Sequence, residues 1–191
     1  MGLLLAKTED QALLAYVIAE AQKAAKKHHT YVGRTAVQKI MYFLQTAGIP
    51  MYYRFTMYHY GPFCEEISRD IDLLLIDGVI KDESTTQSKY SKYAPDEALG
   101  ELLGPYREQL SQWHNKIAPL VDELITLSPD RMEEIATLDY IYRQYLAMGK
   151  GQPTKDEVVS KFVSIKGDKF PREEVETLYD LMTATGAIQP T

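Results

Sequence analysis

The apolar residues of this chain recur at three- and four-residue intervals, in blocks that start at capping residues and stop at glycine or proline. That spacing predicts amphipathic helices, each of which must bury one face against a neighbour. Thr8-Glu9-Asp10-Gln11 has the pattern in which an N-cap hydroxyl and a side chain three residues on satisfy each other's unpaired backbone groups. Leu13, Leu14, Val17, Ile18 and Ala21 follow as a stripe that ends near Lys26-Lys27-His28-His29. Thr35-Ala36-Val37-Gln38 repeats the capping pattern ahead of Val37, Ile40, Met41 and Leu44, and Gly48 with Pro50 stops this second helix. Residues 105–127 form the longest helical pattern, which Pro119 is expected to kink or divide. Ser128-Pro129 opens a further helix, Thr154-x-x-Glu157 another, and Pro171 the last.

The exceptions to helical spacing supply the β content. Met51-Tyr52-Tyr53-Arg54-Phe55-Thr56-Met57-Tyr58-His59-Tyr60 is dense in aromatic residues, lacks Gly and Pro, and reads as extended. Pro62 suits the first turn of a third helix with inner face Ile67, Ile71, Leu74 and Leu75, stopped by Gly78. Val79-Ile80-Lys81 and Lys89-Tyr90-Ser91-Lys92-Tyr93 flank a polar tip and predict a hairpin. Helix followed by hairpin is the order of a winged-helix domain. The expected fold is therefore mainly α with a small antiparallel β-sheet: a winged-helix-like N-terminal core over residues 1–104, and a helical C-terminal region over 105–191 packed on it, with a linker near 149–153. Thr185-Gly186-Ala187-Ile188 echoes Asp77-Gly78-Val79-Ile80, which an ordinary glycine helix stop explains without invoking a repeat.

With 191 residues, 45% of them hydrophobic, the chain can bury a substantial core. Its apolar run Leu73-Leu74-Leu75-Ile76 ends at Asp77, far short of the roughly 18 residues that a membrane span needs. Met1-Gly2-Leu3-Leu4-Leu5-Ala6-Lys7 lacks the basic start of a signal peptide, and Ala6 stands where a myristoylation signal wants Ser or Thr. The single cysteine, Cys64, excludes an internal disulfide, and a cytoplasmic location is expected. Residues 1–60 carry 7 Lys and Arg against 3 Asp and Glu, whereas residues 61–100 carry 4 against 9. The acidic balance excludes a general polyanion binder.

The aromatic segment carries the expected binding residues: Tyr52, Tyr53, Arg54, Tyr58, His59 and Tyr60. Alternate side chains on a strand face opposite ways and cannot all enter one core, so one face is left for a partner or for covering helices. Lys39 is expected in solvent, Gln38 in a capping box, and Arg34 either against a third-helix carboxylate or as a free surface charge. Cys64 and His59 invite a nucleophile–base reading, but no orienting group accompanies them and a lone Cys is usually a buried apolar residue. His28 and His29 are adjacent and point apart, which makes a poor chelating pair. No catalytic residue, metal site or cofactor is expected, since phosphate loops, His-Glu-x-x-His and Cys-x-x-Cys are absent.

Val32-Gly33-Arg34-Thr35-Ala36-Val37-Gln38-Lys39-Ile40-Met41-Tyr42-Phe43-Leu44-Gln45, followed by Tyr58-His59-Tyr60-Gly61-Pro62-Phe63, resembles the Panacea (SocA-like antitoxin) domain and the related YwgA-like proteins. Their pattern of a Gln-Lys-Leu-x-Tyr helix and an aromatic strand ending in Tyr-Gly-Pro is similar to Gln38-Lys39-Ile40-Met41-Tyr42 and Tyr60-Gly61-Pro62. The resemblance covers residues 30–82 and continues more weakly through Glu134-Ile135-Ala136-Thr137-Leu138 and the last two helices. It implies a non-enzymatic protein-binding module, antitoxin-like or adaptor-like, whose partner is a protein such as a toxin. A homodimer and a winged-helix DNA-binding regulator are the other arrangements considered. DNA is disfavoured because the candidate recognition helix carries Glu65, Glu66, Asp70, Asp72 and Asp77 against Arg69 alone.

Overall fold

A computed structural model describes residues 4–149 and 151–188. The readings that turn on Met1 and Gly2, and Lys150 of the expected linker, lie outside them. The protein is mainly helical with two small antiparallel sheets of two strands each, as expected. Contacts divide it into two units: one holds the described residues up to Thr56 with Phe63–Pro129, the other Met57–Pro62 with the described residues from Asp130 on. The expected division after residue 104 falls elsewhere, because the helix over 107–124 packs on the first helix and belongs with the N-terminal elements.

In the first unit, α1 (Glu9–Lys27) starts at the expected capping box, with Thr8 Oγ1 accepting from the Gln11 amide and Gln11 Oε1 accepting from that of Thr8. Its alanines 12, 15, 21 and 25 are fully buried beside Leu14, Val17 and Ile18. Small side chains let other elements approach closely while keeping the best helix propensity. α2 (Arg34–Thr46) follows, but its N-cap is Gly33 and not Thr35. α2 is buried at every residue from Val37 to Tyr42, including Lys39, which is 2% exposed instead of solvated as expected. The apolar stripe alone could not show this, because a helix enclosed all round buries its polar residues too.

The aromatic stretch is extended over far less than ten residues: β1 spans Thr56–Tyr58 and pairs with β2 (Gly61–Phe63). Pro62 lies in β2, and α3 (Glu65–Ile76) starts three residues after Pro62, with Cys64 as N-cap. Ile67, Ile71 and Leu74 form its buried face, with Leu75 partly buried. β3 (Ile80–Asp82) pairs antiparallel with β4 (Tyr93–Pro95) in the register Lys81 to Ala94. The returning strand thus begins where the predicted one ends. Asp82 Oδ1 explains the shift: it accepts from the Ser84 and Lys92 amides and closes the polar tip as a loop. α4 (Leu99–Leu103) and α5 (Arg107–Leu124) complete the unit, and α5 runs through Pro119 without being divided. The order is helix, helix, strand pair, helix, hairpin, in which α3 followed by β3 and β4 keeps the helix-then-hairpin order expected of the N-terminal core.

The second unit contains α6 (Pro129–Ala147) from Asp130 on, α7 (Lys155–Lys166) and α8 (Arg172–Ala184). The expected linker is the loop between α6 and α7, within one unit. α7 opens with the expected capping box of Thr154 and Glu157. Leu138, Ile141, Val158, Phe162, Val175, Leu178 and Met182 form its core, Met57 packs against it, and the Phe162 and Phe170 rings meet edge to face at 5.7 Å. Both echoing Gly segments are helix stops: Val79 donates to the Leu74 carbonyl after Gly78, and Ile188 to that of Met182 after Gly186.

Candidate functional site

The six expected binding residues do not share one environment. In the first unit Tyr52 is 93% exposed and Arg54 is exposed, but Tyr53 is buried. Tyr53 is therefore a structural residue: its hydroxyl donates to Asp70 Oδ2 at 2.8 Å, and Gln11 Nε2 donates to Asp70 Oδ1 at 2.7 Å. Burial pushes the Tyr53 hydroxyl pKa up, and the Asp70 charge adds to the shift, so the group stays a donor. The Tyr52 amide donates to Asp10 Oδ2 at 2.9 Å, which fixes the backbone from which the Tyr52 ring projects. Tyr52, Tyr53, Asp10, Glu66, Arg69 and Asp70 all line one cleft of about 680 Å³.

In the second unit Tyr58, His59 and Tyr60 form a turn whose rings remain in solvent, Tyr58 56% and Tyr60 64% exposed. Gly61 closes the turn at φ +84°, in the left-handed region that favours glycine. The Tyr58 and His59 rings meet edge to face at 4.6 Å. Lys166 Nζ donates to the His59 carbonyl at 2.7 Å and pairs with Glu133 Oε1 at 2.9 Å, and both side chains are 3% exposed. Lys169 bonds the second Glu133 oxygen at 2.8 Å and Asp130 at 2.9 Å, and stands 5.6 Å from the Tyr60 ring centre and 5.1 Å from that of Phe170. Partial burial works against the Lys169 charge, but the Glu133 and Asp130 carboxylates outweigh it, and its pKa lies above the ordinary lysine value. One buried carboxylate thus holds two ammonium groups, one fixing the backbone of the turn and the other lying over its last ring.

The remaining candidates have structural roles. Gln38 is not a capping residue: its Nε2 donates to the Cys64 carbonyl at 2.9 Å and its Oε1 accepts from the Cys64 amide at 3.0 Å. Cys64 is fully buried and its thiol donates to Glu66 Oε2 at 3.1 Å. Burial first, and Glu66 second, push that thiol up to about 11, so at neutral pH it is not the thiolate that a nucleophile needs. Arg34 Nε donates to the Tyr93 hydroxyl at 3.4 Å, where a third-helix carboxylate or a free surface charge was expected. His28 Nε2 and Lys27 Nζ both contact Asp122, at 3.0 and 2.7 Å. Among the described residues no three His, Cys, Asp or Glu side chains are grouped to hold a metal ion, and no helix is long and apolar enough to cross a membrane.

Sequence reasoning did not single out Glu133, Lys166 and Lys169. The only local trace was the basic last turn of α7; nothing in spacing ties it to a turn 107 residues earlier. No family model matches the chain, and no curated protein matches it in sequence.

Proposed function

We propose that the chain is a non-enzymatic protein-binding module, antitoxin-like or adaptor-like, that engages a protein partner through the turn Tyr58-His59-Tyr60. The observation that carries this reading is the combination of exposed rings and a fixed backbone: the aromatic side chains stand in solvent while Lys166 holds the His59 carbonyl. Aromatic residues dominate interface energetics, and a preorganised turn has little conformational entropy left to lose on binding. The resemblance of residues 30–82 to antitoxin domains supports the same class of partner.

The test is reconstitution with the product of an adjacent toxin-like gene. Wild type should form a complex measurable by calorimetry, and Tyr58→Ala with Tyr60→Ala should weaken it about tenfold or more without loss of helical signal. An undiminished complex with the double variant rejects the turn as the contact surface. The order of α3 followed by the β3–β4 hairpin favours one second reading, a DNA-binding regulator. Exposed Glu65, Glu66 and Asp72 on α3, with Arg69 already paired to Glu65 at 2.7 Å, oppose it because phosphates would be repelled. Salt-sensitive, sequence-specific retardation of upstream DNA would reverse this order of preference.

A further inference from the structure

A second cleft lies in the first unit, among α1, α4 and α5, remote in sequence from the aromatic segment. Its volume is about 420 Å³, inside the range of small-molecule sites. Leu99 and Leu103 from α4 and Leu110 from α5 supply apolar walls. These leucines also pack on the unit's core, so the walls are supported from behind. Besides Ser111, whose hydroxyl donates to the Glu108 carbonyl at 2.7 Å, two polar features break the apolar lining. The Tyr16 hydroxyl, on α1, lies 2.7 Å from His114 Nδ1 on α5. Burial first, and the Glu20 charge second, push Tyr16 up to about 12, which keeps its proton on oxygen. In the neutral His114 ring the hydroxyl then donates to Nδ1 and the ring proton sits on Nε2. The other feature is Arg107, the first residue of α5, which has no hydrogen-bond or ion-pair partner among the described residues although it lines the cleft.

We propose that this cleft binds a small monocarboxylate with a hydrocarbon body, its chain against Leu99, Leu103 and Leu110 and its carboxylate on Arg107. The class follows from complementarity. Apolar walls select a hydrocarbon over a sugar or nucleotide, and a free guanidinium with its planar fork of donors selects a carboxylate over a neutral alcohol. A volume of about 420 Å³ suits a medium-length chain and not a long lipid or a protein helix. The inference is independent of the aromatic turn and stands or falls without it.

The probe is decanoate, measured by titration calorimetry against the full chain, with decan-1-ol as the uncharged comparison. Saturable 1:1 decanoate binding is expected, with decan-1-ol about tenfold weaker or more. Arg107→Gln, on an exposed side chain, should lower decanoate affinity by about the same factor and leave decan-1-ol unchanged. Gly100→Leu is the blocking variant: Gly100 lines the cleft, a Cβ there would meet nothing within 4 Å, and Leu is the better helix former. It should abolish binding while circular dichroism stays native. No saturable decanoate binding up to about 1 mM overturns the proposal. Equal affinity for decanoate and decan-1-ol overturns it as well, making the cleft a plain apolar surface. Unchanged decanoate binding by Gly100→Leu moves the ligand elsewhere and has the same consequence.

Discussion

Each unit of the protein has one short stretch of backbone gripped by a side chain, and the two use opposite chemistry. In the first, Gln38 grips both backbone groups of Cys64 with a neutral amide. In the second, Lys166 grips the His59 carbonyl as one half of an ion pair with Glu133 that is almost fully buried. The neutral amide satisfies two groups at little desolvation cost. The ammonium is tied to a carboxylate that would keep the more exposed Lys169 as its cation if the lysine were lost. The difference teaches that the start of α3 is held by one neutral tertiary clamp, whereas the aromatic turn depends on a charged network of Glu133 with Lys166 and Lys169.

The largest test of this contrast is Lys166→Met. It removes the more buried of the two cations on Glu133, which costs about 3 kcal/mol with the Lys169 pair remaining. The urea midpoint of the second unit should drop accordingly, and the double variant with Glu133→Gln should lose less than the two single losses combined. A drop under about 1 kcal/mol would mean that the ion pair is incidental. Gln38→Ala comes next, at about 2 kcal/mol, because it leaves a buried amide and a buried carbonyl unpaired. Cys64, protected by burial and a raised pKa, should react with a thiol reagent markedly faster in that variant. An unchanged labelling rate would break the assignment of Gln38 as the clamp. Thr8→Ala and Thr154→Ala each remove one reciprocal helix cap and should cost about 1 kcal/mol, which compares the two units through the same motif.

The smallest effect is one of pH. Burial of Asp82 acts to raise its pKa, but the Lys92 and Ser84 amides overcome this and hold it below the ordinary 3.8. A depressed carboxylate contributes stability that is present above the unfolded value and lost as pH falls through the folded one. The Ser84 and Lys92 amide resonances should therefore shift together below about pH 4. Asp82→Asn should remove that shared transition, and its persistence would assign it to another group.

Helical spacing and capping residues were sufficient to place α1, α7 and the broad α+β class, because those signals are local: Thr8 and Gln11 lie within one turn, as do Thr154 and Glu157. Thr35 and Gln38 present the same pattern, yet Gln38 faces a backbone 26 residues away, and a tertiary contact displaces the cap. The aromatic run shows the other limit. Alternation says that neighbouring side chains face opposite ways, as Tyr52 and Tyr53 do, but not which of them is buried, and the strand ends where ladder partners end, which depends on the pairing segment. The basic last turn of α7 does not reveal the roles of Lys166 and Lys169, since a lysine at a helix end reads as a solvated charge.

The turn that the second unit encloses is contributed by Met57–Pro62, while the rest of that unit begins at Asp130. During synthesis the rings of Tyr58 and Tyr60 therefore leave the ribosome long before their support exists. Lys166 follows His59 by 107 residues, a delay of about 5–20 s at ordinary elongation rates. Over that interval the nascent chain displays an unseated aromatic loop, the kind of segment that chaperones recognise. An excised 130–191 fragment would carry the converse defect, a Glu133–Lys166 pair with no carbonyl to hold.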